Sequence, residues 1–258
     1  MTANSYAPDR VELYALKGLP LIAAGQDLAE LIASALEANQ LALADGDLLV
    51  VAQKIVSKAE GRVVCLADVD PGPEAKRIAA KTDKDPALVQ LILDESVEIV
   101  RQQRELIIVE HRLGFVMANA GIDQSNSLAG QVILLPENPD ASAARLAQGL
   151  GEIYGCRIGV IVSDSIGRAW RNGTIGHALG VAGFSPLIDL RQTEDMFGRP
   201  MQVSEVGIAD EIAAAASALM GQGSEAKPAV IVRGFRLEHD PEASIRSLLR
   251  DKSMDLFR

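Results

Sequence analysis

RIGVIVSDSIGRAWRNG, residues 157–173, begins with seven strand-like residues and then becomes polar and rich in glycine and arginine. The pattern predicts a strand that ends at Asp164-Ser165. Strands of Val and Ile that end in small polar residues commonly place catalytic groups at the carboxyl edge of a sheet. The side chains of Asp164 and Ser165 are hard oxygen ligands for Mg²⁺ or Mn²⁺, and Arg168 and Arg171 can hold anionic oxygens. A tight, salt-bridged turn between two strands is the alternative interpretation.

Composition and charge narrow the functional class. The chain has 258 residues, of which 48% are apolar but only 3% aromatic, so its core must rest on Ala, Val, Ile and Leu. A net charge of -10 argues against sequence-independent nucleic-acid binding, which needs a basic face. Local Arg and Lys residues can still hold small anions. Neither a GxxxxGK[ST] P-loop nor a GxGxxG fingerprint occurs, so a nucleotide would need a different binding architecture.

No part of the sequence predicts a signal peptide or a membrane span. The first ten residues, MTANSYAPDR, lack an apolar segment, and no window approaches the roughly 20 apolar residues that span a bilayer. Cys65 and Cys156 fit no zinc spacing and no redox pair, so we expect buried thiols in a reducing compartment. These features predict a cytoplasmic protein without membrane contact.

Strands and helices mix along the chain without a strict alternation. This order predicts an α+β fold with mixed sheets and packed helices in two interleaved lobes, neither Rossmann nor P-loop. We expect one domain over residues 1–258, with residues 136–139 as a candidate lobe boundary. Residues 241–249 are predicted to form a final helix. His111 and His239 have polar sequence neighbours, which predicts surface positions for both.

Four other segments carry polar residues or glycines at the ends of predicted elements. They are LKGLPLI at 16–22, VAQKIVSKAEG at 51–61, ANAGIDQSN at 118–126 and MGQGSEAK at 220–227. Singly, an entry loop, a solvated helix start, a turn or a helix terminator explains each of them. Together they combine oxygen ligands with lysines and glycine-rich loops, the ingredients of metal-assisted phosphoryl chemistry. The oxygen ligands are Asp123, Asp164, Ser165 and Gln222.

In their order and spacing, these segments resemble the coenzyme factor-420:L-glutamate ligases, also called gamma-glutamyl ligases. The resemblance covers about residues 16–233 and rests most specifically on NAGIDQSN and SDSIGRAWRNG. It implies the single-domain form, because the chain ends near the expected end of the ligase domain. We therefore expect no nitroreductase-like extension of the kind that some actinobacterial relatives carry.

The resemblance implies a GTP-dependent, amide-forming ligase. Members add L-glutamate to the lactyl carboxylate of the deazaflavin precursor through an acyl phosphate, and then extend a gamma-linked oligoglutamate tail. The resemblance also implies two divalent cations, Mg²⁺ or Mn²⁺, with a monovalent cation such as K⁺ as a further candidate, and a homodimer. A related ligase with a different acceptor and a non-catalytic GTP-binding sensor remain as alternatives.

The resemblance assigns metal ligands by position. Asp123 and Asp164 are expected to hold one divalent ion, and Ser165 and Gln222 a second. Metal ions would screen the repulsion between an anionic carboxylate and a triphosphate. The two carboxylates should therefore matter more than any acid–base residue.

The remaining implied positions contact the nucleotide or the acceptors. Arg168 and Arg171 are hypothesised to bind the phosphodiester of the precursor or the incoming glutamate, with a loop clamp as the competing view. Among the positions implied to contact GTP, Leu19, Leu21 and Ile22 would act through their backbone groups or through packing. The positions implied for GTP are Leu19, Pro20, Leu21, Ile22, Gln53, Lys58, Asn126, Met220, Gly221, Gln222, Gly223, Ser224, Glu225, Ala226 and Lys227.

Overall fold

The structure, a computed structural model, describes residues 7–191 and 193–256. Its strands are β1 (Glu12–Ala15), β2 (Leu48–Ala52), β3 (Val63–Cys65), β4 (Ser96–Gln103), β5 (Leu106–His111), β6 (Val116–Ala118), β7 (Gln131–Ile133), β8 (Gly159–Arg168), β9 (Arg171–Phe184), β10 (Ile188–Asp189), β11 (Glu205–Val206), β12 (Ala229–Arg233) and β13 (His239–Asp240). Its α-helices are α1 (Leu28–Ala38), α2 (Gln53–Ala59), α3 (Pro73–Thr82), α4 (Pro86–Asp94), α5 (Pro139–Tyr154) and α6 (Ile208–Met220). Short 3₁₀ turns cover Leu66–Asp68, Asn119–Gly121, Ile245–Leu248 and Lys252–Met254.

The largest sheet is mixed and has six strands in the order β1-β12-β2-β8-β9-β13. β2 and β8 run parallel, with Leu48 opposite Gly159 and Ala52 opposite Ser163, whereas the other neighbouring strands are antiparallel. Parallel strands require a long crossover. Here the crossover contains α2 to α5 together with the sheets β3-β7 and β4-β5-β6. The prediction of an α+β fold with mixed sheets is confirmed.

Alternate residues of the central strands pack on opposite faces of this sheet, as a pleated strand requires. Leu49 and Val51 join a hydrophobic cluster with α1 and α5. Leu48 and Val50 join a second cluster with α6. Because both faces are covered, β2 is a continuous apolar run rather than an alternating one.

The crossover between β2 and β8 builds a third hydrophobic cluster of its own. There α3 and α4 pack with β5 and β7. Pro73 and Pro86 begin the two helices, at a position where the missing N–H of proline costs no intrahelical hydrogen bond. Leu134 belongs to this third cluster and Leu135 to the α6 cluster, so the chain changes clusters just before residues 136–139. The lobe boundary itself stays a prediction.

Two predictions of element bounds are wrong. β8 does not end before Asp164 but continues to Arg168, because β9 pairs with it and extends the ladder. Residues 241–249 contain only a 3₁₀ turn. Instead of continuing a helix, Ser244 Oγ and Ile245 N donate to the Asp140 carboxylate at 2.8 and 3.2 Å.

No helix within residues 7–191 and 193–256 is long and apolar enough to cross a membrane. The prediction that the chain has no signal peptide rests on residues 1–10. Of these, residues 1–6 lie outside the described residues. Cys65 and Cys156 are free thiols, but both are half-buried rather than buried. Cys65 is the last residue of β3 and Cys156 lies in the connection between α5 and β8, so neighbouring elements cover each of them only in part.

A cluster of hydrogen bonds surrounds the buried carboxylate of Glu95. Arg62 Nη2 donates to its Oε1 at 2.8 Å and Arg112 Nε to its Oε2 at 3.0 Å. His111, predicted at the surface, is fully buried because it has polar partners inside. Its Nδ1 accepts from Leu113 N, so the ring proton resides on Nε2, 3.4 Å from Glu95 Oε2. Burial opposes ionisation of Glu95, but the close contact with His111 and the hydrogen bond and charge of Arg62 outweigh it and lower its pKa from 4.5 to about 2.

Replacing Glu95 with Gln should lower the free energy of unfolding by about 3 kcal/mol at neutral pH, because two guanidinium groups lose their counter-charge. A lowered pKa contributes stability above the unfolded-state value, and this stability is lost as the pH falls through the folded-state value. The wild type should therefore lose more stability than Glu95→Gln between pH 4.5 and about 2. Denaturant unfolding across that range measures both effects.

The matched control is Glu98→Gln, whose ion pair with Lys252 is exposed. It should cost less than about 1 kcal/mol. Equal losses for the two variants would contradict a special role of the Glu95 cluster.

Candidate functional site

A cleft of about 380 Å³ lies at one edge of the largest sheet. Ala52, the last residue of β2, pairs with Ser163 of β8 and donates its N–H to Pro228 O at 2.8 Å. Leu16, the residue after β1, donates to Ala229 O at 2.9 Å. The ends of β1 and β2, the start of β12 and the middle of β8 therefore meet at this edge, although they are far apart in sequence.

Most positions implied for GTP line this cleft. They are Leu19, Pro20, Leu21, Ile22, Gln53, Lys58, Asn126, Met220, Gly221, Gln222, Gly223, Ala226 and Lys227. Asp164 and Ser165 line it as well. Ser224 and Glu225 are not among the lining residues, and Glu225 folds back onto its own loop, where Oε2 accepts from Gly223 N at 2.8 Å.

The sequence prediction missed several residues of the cleft wall, namely Ala52, Lys54, Ile55, Ser163, Ser217 and Pro228. Lys54 had a visible signal, because it lies between two predicted positions in the VAQKIVSKAEG segment. Ser217 had none. It reaches the cleft only because α6 packs on β9, and there its Oγ accepts from Gln222 Nε2 at 3.1 Å.

Asp123 is not part of the cleft wall but contacts it through Lys54. Lys54 Nζ lies 2.7 Å from Asp123 Oδ2 and 2.9 Å from Ser125 Oγ. The other carboxylate oxygen, Oδ1, accepts from Ser125 N at 2.6 Å. Burial opposes ionisation of Asp123, but the hydrogen bonds from Lys54 and Ser125 outweigh it and hold its pKa below the usual value. The carboxylate is therefore charged at neutral pH.

The pKa of Asp164 is shifted in the opposite direction from that of Asp123. It is half-buried on β8, and burial raises its pKa to about 6, with the charge of Asp123 acting in the same direction. The charge of Asp123 therefore disfavours ionisation of Asp164, and a divalent cation bound by both carboxylates would offset this repulsion.

The donors around Asp123 and Asp164 fit a hard metal ion. Ser165 offers a hydroxyl and Gln222 an amide oxygen, so the predicted ligands are oxygens throughout, as Mg²⁺ and Mn²⁺ prefer. In the described parts of the chain, no group of three or more His, Cys, Asp or Glu could hold a metal ion. A metal bound here would therefore depend on hydroxyl, amide or substrate oxygens beside the two carboxylates.

Gln53 contributes a buried amide to the cleft. The residue is 1% exposed, and its Oε1 accepts from Ser57 Oγ at 2.9 Å. Its Nε2 has no hydrogen-bond partner among residues 7–191 and 193–256. A buried donor without a partner costs about 1–3 kcal/mol, which an acceptor atom of a ligand would offset.

The two arginines of the opening segment stand apart from the cleft. Arg168 pairs with Arg171 at the tip of the β8–β9 hairpin, and neither lines the cleft. Arg168 Nη1 donates to Gly173 O at 3.4 Å. This contact favours the loop-clamp view for Arg168.

Close packing of α6 on β9 positions the glycine-rich loop that follows the helix. A Cβ added to Gly176 would lie 2.2 Å from Ala213 O, so only glycine allows this approach. His177 Nδ1 lies 3.2 Å from Asp210 Oδ1 beside it. The helix that leads into residues 220–227 is therefore held against the strand that faces Asp164.

Comparisons with known proteins agree with the motifs. Residues 18–234 match the family described as F420-0:Gamma-glutamyl ligase. The chain is 47% identical over 249 residues to the coenzyme F420:L-glutamate ligase of Methanothermobacter thermautotrophicus, an alignment that covers 96% of this chain and 99% of that protein. Proteins of the same name from Methanopyrus kandleri and Methanocaldococcus jannaschii are 44% identical over 237 residues and 42% identical over 251 residues. Those alignments cover 91% and 96% of this chain, and 92% and 97% of the relatives. The predicted family resemblance is confirmed.

Proposed function

The chain belongs to the F420-0:Gamma-glutamyl ligase family, and we propose that it is a GTP-dependent ligase that joins L-glutamate to the lactyl carboxylate of the deazaflavin precursor. Further glutamates then follow through gamma linkages. The observation that carries the proposal is the convergence of five sequence segments on one cleft. They are residues 19–22, 52–58, 126, 163–165 and 217–228.

The cleft has the properties that a bound triphosphate requires. Lys54, Lys58 and Lys227 supply three positive charges inside a protein whose net charge is -10. The glycine-rich loop at 220–227 offers backbone amides that can surround phosphate oxygens. Leu19 and Ile22 pack against the α1–α5 cluster and form an apolar wall for a nucleotide base.

The residues that would hold divalent cations are Asp123, Asp164, Ser165 and Gln222. Their oxygen donors, and the charge of Asp123 that disfavours ionisation of Asp164, support this assignment. Bound ions of this kind neutralise phosphate oxygens and lower the repulsion against an anionic nucleophile.

The proposed reaction consists of two displacements. A carboxylate oxygen of the precursor attacks the γ-phosphorus of GTP, and the bond between that phosphorus and the bridging oxygen breaks to give GDP and an acyl phosphate. The amino group of L-glutamate then attacks the acyl carbon, inorganic phosphate leaves, and the nitrogen loses a proton as the amide forms. In both steps the lysines and loop amides bind and orient anionic groups.

We expect the active form to be a homodimer of single-domain subunits. The family resemblance implies this state. Met196, Phe197 and Val203, which are 98%, 81% and 84% exposed, and Trp170 at the hairpin tip, which is 83% exposed, are candidate contacts, because contiguous apolar patches are typical of protein–protein contacts. Sedimentation equilibrium should give twice the monomer mass, and a monomer at micromolar concentration would rule out a stable dimer.

The ligase activity is tested directly by mass spectrometry of the precursor incubated with the protein, GTP, L-glutamate and Mn²⁺ or Mg²⁺. The products should gain successive glutamyl units. Asp164→Asn keeps the size of the side chain but removes its charge, so the rate should fall by about 10²-fold or more. Asp68→Asn, an exposed residue outside the cleft, is the matched control and should retain the wild-type rate.

A wild-type protein that binds GTP with metal but yields no heavier product would contradict the proposed acceptor. That result would favour a ligase with another acceptor or a GTP-binding sensor.

Arg171 is proposed to bind an anionic acceptor, whereas Arg168 clamps the hairpin through Gly173. Lysine keeps the charge at position 171 but loses the planar, bidentate geometry. Arg171→Lys should therefore raise the Michaelis constant for the precursor or for L-glutamate by about tenfold, with little change in turnover. Steady-state kinetics with each acceptor varied in turn measures this. Unchanged Michaelis constants for both acceptors in a stably folded variant would show that Arg171 binds neither acceptor.

A further inference from the structure

Lys54 has no part in the roles that the family resemblance assigns, yet it links the cleft to a predicted metal ligand. It lines the cleft, and its Nζ lies 2.7 Å from Asp123 Oδ2 and 2.9 Å from Ser125 Oγ. We propose that Lys54 is a positioning residue that holds Asp123 while the cation site is empty. It releases this carboxylate when a divalent cation and a triphosphate bind, and then pairs with phosphate oxygens. The inference rests on the proposed function, because it takes Asp123 as a metal ligand.

The geometry makes Lys54 a competitor of the cation. Both oxygens of Asp123 are already occupied, Oδ2 by Lys54 and Oδ1 by the Ser125 amide at 2.6 Å. A cation that binds the carboxylate must displace one of these donors or share an oxygen with it. An ammonium group that remained at 2.7 Å from Oδ2 would repel the incoming ion at short range. The charged donor is therefore the one that leaves.

The surrounding loop does not depend on Lys54 alone. Lys58, one helical turn further along α2, donates to Asn126 O at 2.6 Å. The backbone of Asp123 is fixed independently by a pair of hydrogen bonds with Ile133, at 2.9 and 2.8 Å. Release of the carboxylate by Lys54 therefore moves a side chain and leaves the loop in place.

A triphosphate provides the new partner for the displaced lysine. The side chain of Lys54 is 26% exposed and is a flexible four-carbon stem that ends in a point charge beside the cleft. Phosphate oxygens in the cleft attract this charge away from Asp123, which opens the carboxylate to the metal. Nucleotide and metal should thus favour each other's binding, and the coupling should require a cationic side chain at position 54.

The test uses Mn²⁺ as the probe, alone and with a non-hydrolysable imido analogue of GTP, on the full chain. The free Mn²⁺ concentration is followed by electron paramagnetic resonance. Lys54→Met should bind Mn²⁺ alone about tenfold more tightly, since the competing charge is gone. At saturating Mn²⁺ it should bind the analogue about tenfold more weakly, since a phosphate contact is lost.

Two further variants separate charge from fold. Lys54→Arg keeps the positive charge and should retain wild-type affinity for Mn²⁺ alone. Lys76→Met removes an exposed lysine of α3 outside the cleft and should change neither affinity. Circular dichroism melts verify that each variant is folded. If Lys54→Met unfolds, Lys54→Arg still tests the exchange. A tenfold gain in the Mn²⁺ affinity of Lys54→Arg would show that the positive charge at position 54 does not compete with the cation.

The outcomes distinguish this inference from the proposed function. If the wild type binds Mn²⁺ and folded Lys54→Met binds it equally or more weakly, the exchange is overturned while the ligase proposal stands. If the wild type binds no Mn²⁺ with or without the analogue, the metal-dependent ligase proposal fails, and the exchange fails with it.

Discussion

The parallel pairing of β2 with β8 is the contact on which the rest of the molecule depends. It places Ala52 opposite Ser163, so two strands far apart in sequence run side by side and point the same way. Gln53, which begins α2, and Asp164, the next residue of β8, therefore both line the cleft at the same edge of the sheet. Antiparallel β12 lies against β2 and delivers the loop at 220–227 to that edge from the other direction. These strand directions bring the polar segments to the edge of the sheet where the cleft lies.

Local charge, rather than the acidic character of the whole chain, decides what the cleft can bind. Lys54, Lys58 and Lys227 line the cleft together with Asp164, and Asp123 contacts the wall through Lys54, although the net charge of the chain is -10. The carboxylates respond differently, since Lys54 keeps Asp123 ionised whereas burial makes ionisation of Asp164 costly. The site is therefore short of positive charge at Asp164, which a cation would supply.

Predictions from the residues succeeded where a signal is local or motif-based. The α+β class follows from the mixed order of strands and helices, and the polar segments that resemble the ligase family meet at one cleft. Predictions failed where pairing with another element decides. β8 extends to Arg168 because β9, the next strand along the chain, pairs with it, and His111 is buried beside Glu95 of the neighbouring strand region. The residue types within one segment indicate neither the length of such a pairing nor the polar partner that a side chain meets.

By itself, the sequence determined the α+β class, the family and most of the residues that form the cleft wall, because periodicity and motifs are properties of contiguous residues. The tertiary structure alone decided that Lys54 neutralises Asp123, that Ser217 reaches the cleft and that Ser224 and Glu225 do not. These outcomes depend on how the long crossover and α6 pack against the sheet. This packing depends on the burial of side chains that are far apart in sequence and on the close approach of α6 to β9 at Gly176. A short segment of sequence does not indicate which other element packs against it.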